Sequence, residues 1–146
     1  MILPVKHFRH TMGGAPTLNG LAGAMIALLN ACLVTGFGLK ALDSLVVTDG
    51  IATASVSSSH GFTPDAVLRL VIADLPALSG EHRVLTRTLT TFTFAAPGIA
   101  NGVIGGSMEA RLAPAGWDKV FSTGTSFAAY RSPNIEGARM FLFVDD

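Results

Sequence analysis

The chain has little of several things. Among its 146 residues there is one cysteine, one tryptophan and one tyrosine, and charged residues make up only 14%. A single cysteine, Cys32, excludes an internal disulfide and any zinc site built on paired cysteines. Ten basic and ten acidic residues cancel, so no net field steers the protein toward nucleic acid or anionic lipid. A basic patch interleaved with aromatics is also missing, so no nucleic-acid partner is expected. No apolar run is long enough to span a bilayer. The stretch from Leu21 to Val34 contains Asn30 and has the length of a buried or interfacial helix. Leu29-Asn30-Ala31-Cys32 has the outline of a lipoprotein cleavage box, but Asn30 is atypical there and the preceding Gly13-Gly14-Ala15-Pro16 is unlike a compact signal region. Export is not the expected reading.

What the chain does have is apolar surface. Hydrophobic residues reach 49%, and a charged fraction well below the roughly 25% of an average soluble domain leaves few side chains to keep an isolated globule wet. Contacts with other subunits are expected. The length fits one domain, or a small domain with an appended arm. Every acidic residue lies from Asp43 onward, whereas Lys6, Arg9 and Lys40 precede it. The first 42 residues thus form a mildly basic segment suited to an acidic neighbour.

Residues 1 to 16 carry Pro4, Gly13, Gly14 and Pro16 without a sustained period, and read as an extended arm. Thr17 is placed to cap a helix of about four turns, since Leu18, Leu21, Met25, Leu28, Leu29 and Cys32 recur at steps of three and four. Gly36 or Gly38 would stop it. Small residues Ala22, Gly23 and Ala27 admit a close neighbour, for which the chain's own sheet is the expected partner ahead of another subunit. From Asp43 the period becomes two. Ser44–Thr48 and Ile51–Ser57 flank Asp49-Gly50, the dipeptide of a type I′ hairpin. Further strands are expected over Ala66–Ile72, Glu81–Thr86, Thr90–Phe94, Ile104–Leu112, Ser126–Tyr130 and Arg139–Val144. The whole is mainly β with one N-terminal helix, an α+β chain. Residues 1–42 form arm and helix, 43–112 a β-module, and 113–146 strands that complete or extend an antiparallel sandwich or small barrel.

The segments Gly50-Ile51-Ala52-Thr53-Ala54, Ser59-His60-Gly61-Phe62, Val67 to Ile72, Leu78-Ser79-Gly80-Glu81-His82-Arg83-Val84 and Thr90-Thr91-Phe92-Thr93-Phe94 resemble a β-module of bacteriophage and prophage particle proteins. That module is similar to the first catalytic cysteine half-domain of ubiquitin-activating enzymes, a small β-barrel, without the enzyme's chemistry. The flanks, from Lys6 through Leu18-Asn19-Gly20 and from Ala113-Pro114-Ala115-Gly116-Trp117 through Tyr130-Arg131-Ser132, resemble prophage open reading frames. The resemblance implies a non-enzymatic virion component of tail, baseplate or capsid surface, made in the bacterial host cytoplasm, with copies of itself and other virion proteins as partners. It also implies related chains that continue past Val144-Asp145-Asp146. One departure is Pro64-Asp65, where the module often has glycine after the corner.

Candidate sites are few. His60 beside Gly61 reads as an architectural corner in which the imidazole bonds backbone while glycine takes the strained dihedral; no nucleophile or acid stands at matched spacing to make it a base. His7 and His10, placed on one side of a helical turn, would need His82 to bind metal, and no carboxylate accompanies them. No metal or other cofactor is expected. Gly102-Val103-Ile104-Gly105-Gly106 and Ser122-Thr123-Gly124-Thr125-Ser126 match neither a phosphate loop nor a nucleophile elbow. Leu21, Met25, Leu28 and Trp117 are candidate subunit contacts, although a lone tryptophan such as Trp117 more often anchors a core. Thr88, Thr90 and Thr91, in a threonine-rich hairpin, are the candidate ligand face for the alternative function, recognition of a host receptor or surface glycan.

Overall fold

A computed structural model describes residues 5–134 and 140–146. The chain forms a helix α1 (Ala24–Leu29) that runs into a wider π-turn (Asn30–Thr35). Eleven strands follow among the described residues: β1 (Phe37–Ala41), β2 (Ser44–Thr48), β3 (Ile51–Ser55), β4 (Val67–Ile72), β5 (Gly80–Arg83), β6 (Thr91–Ala95), β7 (Gly102–Ile104), β8 (Met108–Leu112), β9 (Asp118–Thr123), β10 (Phe127–Arg131) and β11 (Phe141–Asp145). They make three open antiparallel sheets ordered β1-β8-β4-β5, β6-β3-β2-β7 and β11-β10-β9. The chain is therefore α+β and mainly β. The first two sheets pack as a sandwich, and the barrel implied by the resemblance does not close.

Period-two alternation builds the sandwich. Leu45 and Val47 of β2, Phe92 and Phe94 of β6, and Leu68, Leu70 and Ile72 of β4 all point inward and are almost fully buried. Size is matched across strands: Ala52 stands opposite Phe94 and Ala54 opposite Phe92, so small residues make room for the rings. The chain passes from one sheet to the other where Leu42 N–H donates to the Met108 carbonyl and Asp43 N–H to that of Ser55. A second crossing occurs where Val84 N–H donates to the Ala66 carbonyl and Leu85 N–H to that of Thr93.

The Asp49-Gly50 turn is formed as expected, with positive φ at both residues, 49° and 77°. Asp65 also takes positive φ, 67°, which explains why glycine suits that corner. Aspartate is among the few residues that tolerate the left-handed region. Its carboxylate accepts from Arg83 and its N–H donates to the Val84 carbonyl.

Several expectations need correction. Thr17 caps nothing: Asn19 Oδ1 accepts from Leu21 N–H in a local turn, Gly20 and Gly23 take left-handed φ of 73° and 88°, and helix starts only at Ala24. Glycine is required at 23 because a Cβ there would lie 2.8 Å from the Thr125 carbonyl oxygen. His7 lies in irregular backbone and His10 in the turn that Met12 N–H closes on the Arg9 carbonyl, so the two share no helical turn. The expected strand Ile104–Leu112 is two strands in different sheets, broken where Gly106 (φ 77°) passes the Asp74 carboxylate. Arg139, the first residue of the last expected strand, lies outside the described residues, as do residues 1–4 of the arm. β1 and β9 were not anticipated.

The arm lies on the sandwich. Phe8 packs on Phe37 with ring centroids 6.0 Å apart, Met12 is buried, and Lys6 donates to Glu81 and to the Pro114 carbonyl, both at 2.7 Å. The basic segment thus finds an acidic neighbour inside its own chain. Backbone approaches backbone where the arm crosses. A Cβ on Gly38 would sit 2.5 Å from the Gly13 carbonyl oxygen, and one on Gly61 3.1 Å from the Gly13 Cα.

Candidate functional site

Apart from the Tyr130 phenol, His60 is the one buried polar side chain among the described residues. Its Nε2 is 3.0 Å from the Thr91 carbonyl and its Nδ1 accepts from Phe62 N–H at 3.0 Å, which assigns the proton of a neutral ring to Nε2. The ring stacks on Phe62 and meets Phe92 edge-on, centroids 5.2 and 5.3 Å away, while Gly61 takes φ 68°. Both nitrogens are thus committed to backbone and the ring ties the corner to β6.

Burial pushes the His60 imidazole below its ordinary value, Arg87 and Lys40 push the same way, and the backbone bonds to Thr91 and Thr88 oppose. A folded-state value below the unfolded one means that unfolding takes up a proton. The resulting stability is complete above about pH 6.5 and is lost as pH falls through the folded value. Urea midpoints measured between about pH 7.5 and 5 are expected to fall with pH, and His60→Phe, which keeps an aromatic ring, is expected to flatten that limb.

The other candidates are held locally. His82 Nε2 lies 2.9 Å from the Leu78 carbonyl and its ring 4.7 Å from Phe94. Among the described residues no three His, Cys, Asp or Glu side chains come together as metal ligands. Cys32 is half-buried beside a cavity of about 170 Å³ under the arm, lined also by Phe8, Ala15, Pro16, Leu28 and Phe37; burial pushes its thiol up. In the threonine hairpin, Thr88 Oγ1 accepts from the N–H groups of Thr90 and Thr91 and shares a hydrogen bond with Thr91 Oγ1 at 2.7 Å. Thr86 and Thr93 pair likewise. These hydroxyls shape the turn. On the outer face of the first sheet Arg69 stands directly opposite Arg111, which Glu109 pairs at 3.1 Å.

The candidate subunit contacts separate. Leu21 is two-thirds exposed on the linker ahead of α1. Leu28 lines the cavity under the arm. Met25 N–H donates to Asp146 Oδ2 at 2.8 Å, and Trp117 packs into a second core with Ile26, Ala128 and Tyr130. That core joins α1 to one face of the C-terminal sheet, the chain's own, as anticipated for the helix. Tyr130 Oη donates to Asn30 Oδ1 at 2.8 Å. The π-turn turns the Cys32 and Leu33 carbonyls toward the N–H groups of residues 115–117 at 2.8–2.9 Å, satisfying groups that a helix end would leave unpaired.

The opposite face of that sheet is open. Phe121 of β9, Phe127 of β10, and Phe141 and Phe143 of β11 stand on it, neighbouring centroids 5.9–6.4 Å apart. Ala129 lies between Phe121 and Phe143 in register and is 1% exposed, buried beneath the rings. Three of the rings are wet, Phe121 being 53%, Phe141 46% and Phe143 64% exposed, and Phe127 between them is half-buried. An isolated exposed apolar residue is ordinary, but four phenylalanines side by side on one sheet face form a contiguous apolar patch. Sequence reasoning missed it. The signal was the spacing Phe121, Phe127, Phe141 and Phe143, unreadable until β9 was recognised as a strand. Among the described residues no helix is long and apolar enough to cross a membrane. Comparison with protein-family models, with curated proteins and with solved structures found no match to the chain.

Proposed function

We propose that the chain is a non-enzymatic structural component of a phage particle, on the tail, baseplate or capsid surface, and that it acts through contacts between subunits. The wet phenylalanine ladder of the C-terminal sheet carries the contact role: it presents apolar surface of the kind that assemblies bury, on a sheet whose other face is already filled by α1. The phage setting is drawn from the sequence resemblance of residues 45 to 105 and their flanks. The His60 corner supports the non-enzymatic part, since both ring nitrogens hold backbone and neither faces a nucleophile.

Mass spectrometry of purified particles from a host carrying the gene tests the reading. The chain is expected among the virion proteins in stoichiometric amount, and its absence from intact particles would overturn the assignment.

A further inference from the structure

The two edges of the C-terminal sheet are unequal. Edge strand β9 is blunted: its register shifts between the Phe121–Ala129 and Lys119–Tyr130 pairs, leaving Val120 as a bulge, and Asp118 and Lys119 add charge. Bulges and edge lysines are the devices by which natural sheets refuse further pairing. Edge strand β11 has neither. It pairs with β10 without a break from Phe141–Arg131 to Asp145–Phe127, it reads Phe-Leu-Phe-Val before its first charge, and among the described residues no strand covers its outer edge.

We infer that the outer edge of β11 pairs antiparallel with β11 of a second copy of this chain, continuing two three-stranded sheets into one of six strands. This rests on the proposed role in subunit contacts and names the partner. The match is set by the strand itself. A two-fold centred on Phe143 sets Leu142 against Val144 of the second copy and Phe141 against Asp145, so no charge opposes a like charge and apolar residues meet on the helix-facing side. A charged foreign strand would find nothing on β11 to recognise before Asp145. The new pairing also brings the two phenylalanine ladders side by side. Five-residue edges with two rings a side cover less than the roughly 1,200 Å² of a standard complex, so the pair dissociates on dilution with a micromolar constant.

Light scattering on the whole chain, from about 1 to 500 µM, is expected to show mass rising from 15.1 kDa toward twice that value. Phe143→Lys, at an exposed position, is expected to weaken association at least about tenfold while far-ultraviolet circular dichroism is unchanged. Oxidative crosslinking gives a readout that does not depend on that variant. In a Cys32→Ala background, Phe143→Cys forms a covalent dimer and Phe121→Cys on the blunted side does not. A chain that stays monomeric throughout, a dimer crosslinked through position 121 and not 143, or a particle in which position 143 crosslinks to a different protein overturns the inference. A dimer absent from particles would remove the virion role and leave the pairing, whereas a monomer present in particles would do the reverse.

Discussion

Replacing His60 with alanine is expected to lower stability by about 3–4 kcal/mol, a large share of the roughly 5–15 kcal/mol that holds a domain of this size together. Two losses add. The Phe62 N–H loses its acceptor, and a buried polar group left unsatisfied costs about 1–3 kcal/mol, while the Thr91 carbonyl loses one of two partners and keeps the Thr88 N–H at 2.8 Å. The imidazole also leaves a void between Phe62 and Phe92, whose rings it touches on two sides. His60→Phe fills the void and restores neither bond, so it should recover part of the loss, and the difference between the two variants separates packing from hydrogen bonding. Urea unfolding followed by fluorescence of Trp117 measures both. An alanine variant within about 1 kcal/mol of the parent would mean that the corner is held by something other than this ring.

Gly36→Ala is expected to cost about 3–5 kcal/mol. Gly36 sits at φ 74° and ψ 176°, a region essentially closed to residues with a Cβ, and an added methyl would run into the Leu112 carbonyl oxygen. The damage is structural in a particular way, because Gly36 is the link between the π-turn and β1. Moving it pulls β1 away from β8, or pulls the π-turn carbonyls away from residues 115–117, so it separates the sandwich from the helix and the C-terminal sheet. Gly98 is the control: it also has positive φ, 76°, but open space around it, and alanine there should cost only about 1 kcal/mol. Equal losses at the two positions would show that the close approach at Leu112 carries no energetic weight.

The legible parts of the fold were those whose cause is local. Asp49-Gly50 needs two positive dihedrals and only a few residues supply them, so the hairpin could be read from two letters. The strands of the sandwich alternate because one face is dry, and alternation is visible in a linear chain. The His60–Gly61 corner was readable for a similar reason, since a short donor–acceptor side chain beside a glycine has few other uses at a strand end. What could not be read depended on distant neighbours. The periodic apolar residues from Leu18 to Cys32 satisfy a helical template, yet the chain passes Thr125 and Asp146 where a longer helix would not fit. β1 holds a left-handed glycine at Gly38, because the arm crosses there, and so does not look like a strand. All six residues of β9 are exposed, which removes the burial contrast that marks a strand. The phenylalanine ladder is distributed over β9, β10 and β11 and comes into being only when they pair.

The unlike edges of the C-terminal sheet decide how far association can run. A unit with two receptive rims would add copy after copy and grow into a fibre. One that is receptive on a single side has a valence of one through this sheet, so a partner seated there fills its receptive rim and growth through the C-terminal sheet halts at a closed pair.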